Sequence, residues 1–120
     1  MKTTIKAILN ATDTLSRLAE RTLPVRQSYR LAKLVKAVNA EMSVYHDERI
    51  KICKRYGELN EAERRYEFPD ENREAAENDL QELISQEVEL DVKPIDIDGL
   101  ELTAQDIINI EPFIEVIDDD

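Results

Sequence analysis

One histidine and one cysteine are the side chains of this 120-residue chain best suited to catalysis. His46 lies in His46-Asp47-Glu48. A histidine beside carboxylates can hold a metal or act as a base. The surrounding stretch reads as helix, where sequence neighbours point apart, His46 and Glu48 by roughly 200°. The trio is therefore expected to be a solvated helix surface. Cys53 is flanked by Lys51 and Lys54, and nearby positive charge makes a thiol more reactive. No histidine is predicted beside it, so no dyad is expected. Asp96-Ile97-Asp98-Gly99 shares an acidic spacing with part of a calcium loop. An EF-hand needs oxygen ligands spread over about 12 residues, a closing glutamate and a helix on each side. Here Ile97 and Leu100 interrupt, and the upstream segment reads as strand. Asp118-Asp119-Asp120 adds charge without a ligand pattern. Two glycines leave no phosphate loop or dinucleotide fingerprint, and there is no nucleophile elbow. The expectation is a non-enzymatic protein with no catalytic residue, metal or cofactor.

The side chains suited to binding are better organised. Arg26, Tyr29, Arg30 and Lys33 share a helical spacing. Arginine and tyrosine are enriched among residues that dominate interfaces. Two readings stand side by side: this patch pairs with the acidic C-terminal segment of its own chain, or it binds a partner. The apolar stretch Ile110–Ile117, which contains Phe113 and Glu115, either closes the core or adds to a partner's surface. The candidate partner-binding residues are Arg26, Tyr29, Arg30, Lys33, Phe113 and Glu115.

Charge sharpens this picture. The chain has 27 acidic and 16 basic side chains, a net of −11. Residues 1–56 carry a net of +7, residues 57–86 a net of −7, and residues 87–120 a net of −11. A plain phosphate mimic would be acidic throughout, so the basic half argues against one. Nucleic acid is disfavoured as a partner because the overall field repels phosphate and no RNA motif or zinc finger is present. The 42% of hydrophobic residues is too high for a wholly disordered chain. No apolar run is long enough for a membrane span. The start lacks a signal-peptide core, and a single cysteine makes no internal disulfide, so an intracellular protein is expected.

Several elements must position these residues. Thr3 or Thr4 caps a first helix running to about Arg21, with Ile5, Ile8, Leu9, Leu15, Leu18 and Ala19 on its apolar side. Pro24 is expected to stop it and to start the next. That second helix spans about 25–56, closed by Gly57. Leu31, Val35, Val38, Met42, Tyr45, Arg49, Ile52 and Tyr56 form a heptad seam along it, charged only at Arg49. At about 48 Å it is too long for the first helix to cover. A third helix or a second copy of the chain must cover the rest. Glu58–Phe68 reads as loop, with a short extended piece at Tyr66–Phe68. Asp70 is expected to cap a third helix to about Glu87, with Ala76, Leu80, Leu83 and Ile84 apolar. Val88–Val92 alternates as a strand, and Ile95 and Ile97 resume the alternation after Pro94. Asp98-Gly99 signals a turn. Thr103 and Asp106 resemble a capping box before a short helix to about Ile110, stopped by Pro112. The fold class is mainly α. It is a helical hairpin or three-helix bundle around the long helix (1–87), with a small, acidic α+β part (88–120), all within one domain.

Leu23-Pro24-Val25-Arg26-Gln27-Ser28-Tyr29-Arg30-Leu31-Ala32-Lys33 resembles a stretch found in small uncharacterised proteins of tailed bacteriophages and prophages. So do Arg55-Tyr56-Gly57-Glu58, Glu87–Val92, Leu100-Glu101-Leu102-Thr103 and Ile110-Glu111-Pro112-Phe113-Ile114-Glu115. The resemblance implies a phage origin and action in the cytoplasm of the infected host bacterium. No catalytic residue is implied. The functional expectation is a protein–protein interaction factor that binds a host or phage protein, inhibiting or being sensed by a bacterial defence system. The alternatives are a self-associating accessory protein of the virion head or tail, and a nucleic-acid-related regulator or DNA mimic.

Overall fold

The computed structural model describes residues 1–115. Val116 and Ile117 of the expected apolar stretch, and the acidic Asp118–Asp120, lie outside the described residues.

The chain opens with a strand, β1 (Lys2–Thr4), and helix α1 (Ile5–Ala19). Thr4 is the helix cap, its hydroxyl accepting from the Ala7 amide at 3.2 Å. α1 buries Ile5, Ile8, Ala11, Thr14, Leu15 and Leu18. Ala19, expected on that side, is exposed. α1 ends five residues before Pro24, so the proline does not stop it. Pro24 instead stands just ahead of α2 (Val25–Tyr56) as its cap.

The mainly α reading holds, with α2 as its spine. The molecule measures 55 × 29 × 26 Å, its long axis close to the length of this helix. The N-terminal half of α2 buries Gln27, Leu31, Leu34 and Val38. Leu34 is fully buried, whereas the seam residue Val35 is only half-buried. The buried face is wider than a heptad seam because both α1 and the C-terminal part pack there. The second half of the seam is covered by α3 (Asp70–Ile84). The Tyr56 hydroxyl donates to Asp79 at 2.9 Å, and the Asn72 side chain donates to the Tyr56 carbonyl at 3.1 Å. α3 therefore returns along α2 as the third helix, leaving Met42, Tyr45, Ile52 and Tyr56 half-buried and Arg49 exposed.

Three sequence expectations are corrected here. Asp70 is the first helical residue rather than the cap; Pro69 holds that position and gives no side-chain bond. α3 stops at Ile84 because the following backbone is claimed by a strand, β4 (Glu87–Glu89), which pairs antiparallel with β1. Glu58–Phe68 is a hairpin of β2 (Glu58–Asn60) and β3 (Arg65–Glu67) rather than a loop. Its turn is held by Asn60, whose side-chain oxygen accepts from the Ala62 and Glu63 amides.

Beyond β4 lie β5 (Ile95–Asp96), α4 (Ala104–Ile110), a 3₁₀ turn (Glu111–Phe113) and β6 (Ile114–Glu115). β5 and β6 pair in parallel, Ile95 opposite Ile114. Gly99 supplies the positive φ of 78° that the Asp98-Gly99 turn requires. The capping box forms at α4: the Thr103 hydroxyl accepts from the Asp106 amide, and the Asp106 carboxylate accepts from the Thr103 amide. Of the apolar residues in α4, Ile110 is buried, while Ile107 and Ile108 face solvent.

One core unites these parts. Ile8, Ala11, Leu15 and Leu18 of α1 meet Leu31, Leu34 and Val38 of α2, together with Leu90, Ile95, Ile110 and Phe113. Phe113, expected as a partner contact, is fully buried at the centre of this core. A side chain without exposed surface cannot touch a partner, so Phe113 is a core residue.

Candidate interaction site

α2 presents two different sides over its first three turns. Gln27, Leu31 and Leu34 turn inward. Arg26, Tyr29 and Lys33 turn outward, and Arg30 is half-buried at the boundary. Spacings of three and four residues keep Arg26, Tyr29, Arg30 and Lys33 on one stripe. No acidic residue occurs on α2 before Glu41.

Gln27 fixes what lies opposite. Its side-chain amide donates to the Asp96 carbonyl at 3.0 Å and to the Asp98 carbonyl at 2.9 Å. This ties the β5 turn to the start of α2. The β1–β4 pairing holds the neighbouring segment in place. The Met1 ammonium donates to the Leu90 carbonyl at 2.7 Å and to Glu89 at 3.1 Å. The result is a groove of about 640 Å³. Tyr29, Arg30 and Lys33 form one wall, and Glu89 to Lys93 with Met1 form the other.

Within the groove the Lys33 ammonium sits 5.1 Å from the centre of the Tyr29 ring, a cation–π distance. Tyr29 is 62% exposed and lines the groove. Arg30 reaches Glu115 at 3.8 Å, with 57% of the Glu115 side chain exposed. Exposed pairs of this kind contribute little. Arg26 and Lys33 make no ion pair among the described residues. Intramolecular pairing between the basic and acidic halves therefore occurs, but it reaches only part of the patch. A stronger instance lies elsewhere: Arg17 meets Asp106 at 2.8 Å. The hydrogen bond from Arg17 holds the Asp106 carboxyl below the ordinary aspartate range, helped by the Thr103 amide.

Four of the six candidate residues gather here: Tyr29, Arg30 and Lys33 line the groove, and Glu115 stands at its rim. Arg26 continues the stripe one turn earlier, and Phe113 belongs to the core. The sequence reading missed Gln27 and the opposing wall. Gln27 carried one signal, as a polar residue four positions before Leu31 on the inward face.

The side chains singled out for catalysis are scattered. His46 is exposed on α2, and Cys53 is buried. The Asp96 carboxylate accepts from the Asp98 amide at 2.8 Å and so caps its own turn. Among the described residues no three His, Cys, Asp or Glu side chains are placed to share a metal ion. Among the described residues no helix is long and apolar enough to cross a membrane. The groove offers an aromatic ring, a phenol hydroxyl and several cations. These suit recognition of a polar, anionic surface. No family model, curated protein or solved structure matches the chain.

Proposed function

We propose that the protein is a non-enzymatic interaction factor that binds another protein through the groove between the start of α2 and residues 89–93. The observation that carries this reading is Tyr29, a largely exposed ring beneath Lys33 on the wall of a groove of about 640 Å³. An exposed tyrosine flanked by Arg26, Arg30 and Lys33 has the composition of an interface anchor. The partner's approach is favoured by charge: four cations on α2 precede its first carboxylate, and such a patch steers an acidic surface toward it.

The sequence resemblance to small phage proteins supplies the setting of the proposal. The protein is read as phage-encoded and active in the host bacterial cytoplasm. Its partner is read as a host or phage protein, and its action as inhibiting, or being sensed by, a bacterial defence system. The test is affinity capture from bacterial lysate by the wild-type chain and by an Arg30→Glu/Lys33→Glu variant of unchanged circular dichroism. The reading predicts a captured protein that the variant loses. Equal capture by both would refute it.

A further inference from the structure

We propose that the groove takes an extended segment of the partner, added as a third strand along the outer edge of β4, with acidic side chains turned toward Arg30 and Lys33. This rests on the reading of the groove as a protein-binding site and specifies the form of the ligand.

The hydrogen bonds of the β1–β4 pair fix which backbone groups are open. Met1 and Leu90 exchange both bonds, the Met1 ammonium donating at 2.7 Å and the Leu90 amide at 2.8 Å. The Ile5 amide donates to the Gln86 carbonyl at 3.2 Å. Bonded and non-bonded positions alternate in an antiparallel ladder. Gln86, Val88 and Leu90 therefore aim their backbone groups at β1. Glu87 and Glu89 aim theirs the other way. Among the described residues β4 has no strand on that side, and these groups make no hydrogen bond there. An open edge of this kind is a template for strand addition.

This edge meets the groove at Glu89, whose backbone groups are open and which lines the wall opposite Tyr29, Arg30 and Lys33. A strand laid there gains main-chain partners on β4 and a helix beneath. Its side chains alternate between two faces. Those facing α2 meet a ring and two cations; among the described residues Lys33 has no carboxylate partner and Arg30 has the exposed Glu115 at 3.8 Å. Acidic side chains match that face. Those on the other face stand beside the exposed carboxylates of Glu87 and Glu89, so neutral or basic side chains match there. The ligand is thus an extended segment with acidic residues at every second position.

The test uses the full chain and a fluorescent peptide alternating glutamate and threonine, with a peptide alternating lysine and threonine as its counterpart. Anisotropy should show binding of the first and at least about tenfold weaker binding of the second. Lys33→Glu should weaken the first by about tenfold. Glu89→Pro should weaken it about tenfold more than Glu89→Ala does, because both lose the side-chain bond to the Met1 ammonium while proline also deletes an outward N–H and spares the backbone bonds to β1. Equal affinity for both peptides, equal effects of proline and alanine, or no binding by the folded chain would each overturn strand addition. If lysate capture is still lost in Arg30→Glu/Lys33→Glu, only the strand-addition proposal falls. Capture indifferent to that variant overturns the groove reading itself.

Discussion

Gln27→Leu isolates the contact that builds the groove. Gln27 is 6% exposed, and its amide donates to the Asp96 and Asp98 carbonyls at 3.0 and 2.9 Å. Leucine preserves the bulk and removes both bonds. Each bond contributes about 0.5–1.5 kcal/mol net, so the loss is about 1–3 kcal/mol. A loss of about 2 kcal/mol lowers Tm by roughly 6–10 °C in a chain of this size. Gln27→Glu is worse at neutral pH, because it points a carboxylate at two carbonyl oxygens. Burial against acceptors raises that carboxyl's folded pKa above its unfolded value of about 4.3. The penalty is full above the folded pKa and fades as pH falls toward about 4.3. The assay is urea denaturation of wild type and both variants at several pH values. Gln27→Leu within about 0.5 kcal/mol of wild type, or a Gln27→Glu deficit that does not shrink in acid, would refute the role assigned to Gln27.

Thr3 has a buried hydroxyl without a hydrogen-bond partner among the described residues. Thr3→Val keeps the β-branched shape and should stabilise the fold by about 1 kcal/mol in urea; destabilisation would mean the hydroxyl has a partner. Phe113→Ala should cost about 3–5 kcal/mol, since the ring is fully buried in the shared core, and a loss below about 1 kcal/mol would contradict its place there. Asp106 has a folded pKa lowered by Arg17. Its contribution is present above the ordinary aspartate value and is lost as pH falls through the lower folded one. Asp106→Asn should therefore lower Tm at neutral pH, with the gap to wild type closing in acid; a gap independent of pH would contradict the pairing.

Much of the helical framework was legible because its signals are local. The seam from Leu31 to Tyr56 foretold a long helix needing a covering element, and the Thr103/Asp106 spacing foretold the cap of α4. Leu34 escaped because its burial depends on two neighbours packing on α2 from different sides, which no single seam encodes. β1 escaped because three residues carry little pattern and their partner, Glu87–Glu89, lies far away in sequence. The early end of α3 has the same cause. For the site, the stripe Arg26, Tyr29, Arg30 and Lys33 was readable from helical spacing. The wall opposite was not, since residues 89–93 reach it only through the β1 pairing and the Gln27 bonds. Phe113 was ambiguous because an apolar residue near the end of a sequence reads alike whether it faces the core or a partner.

The most direct test of the central claim is an amide-resolved NMR titration of the ¹⁵N-labelled chain with the protein it captures from lysate. The account predicts that the largest shift changes fall on Tyr29, Arg30, Lys33 and residues 89–93. Changes confined to α3 or to the exposed Ile107–Ile108 surface of α4, with the groove signals unmoved, would contradict it.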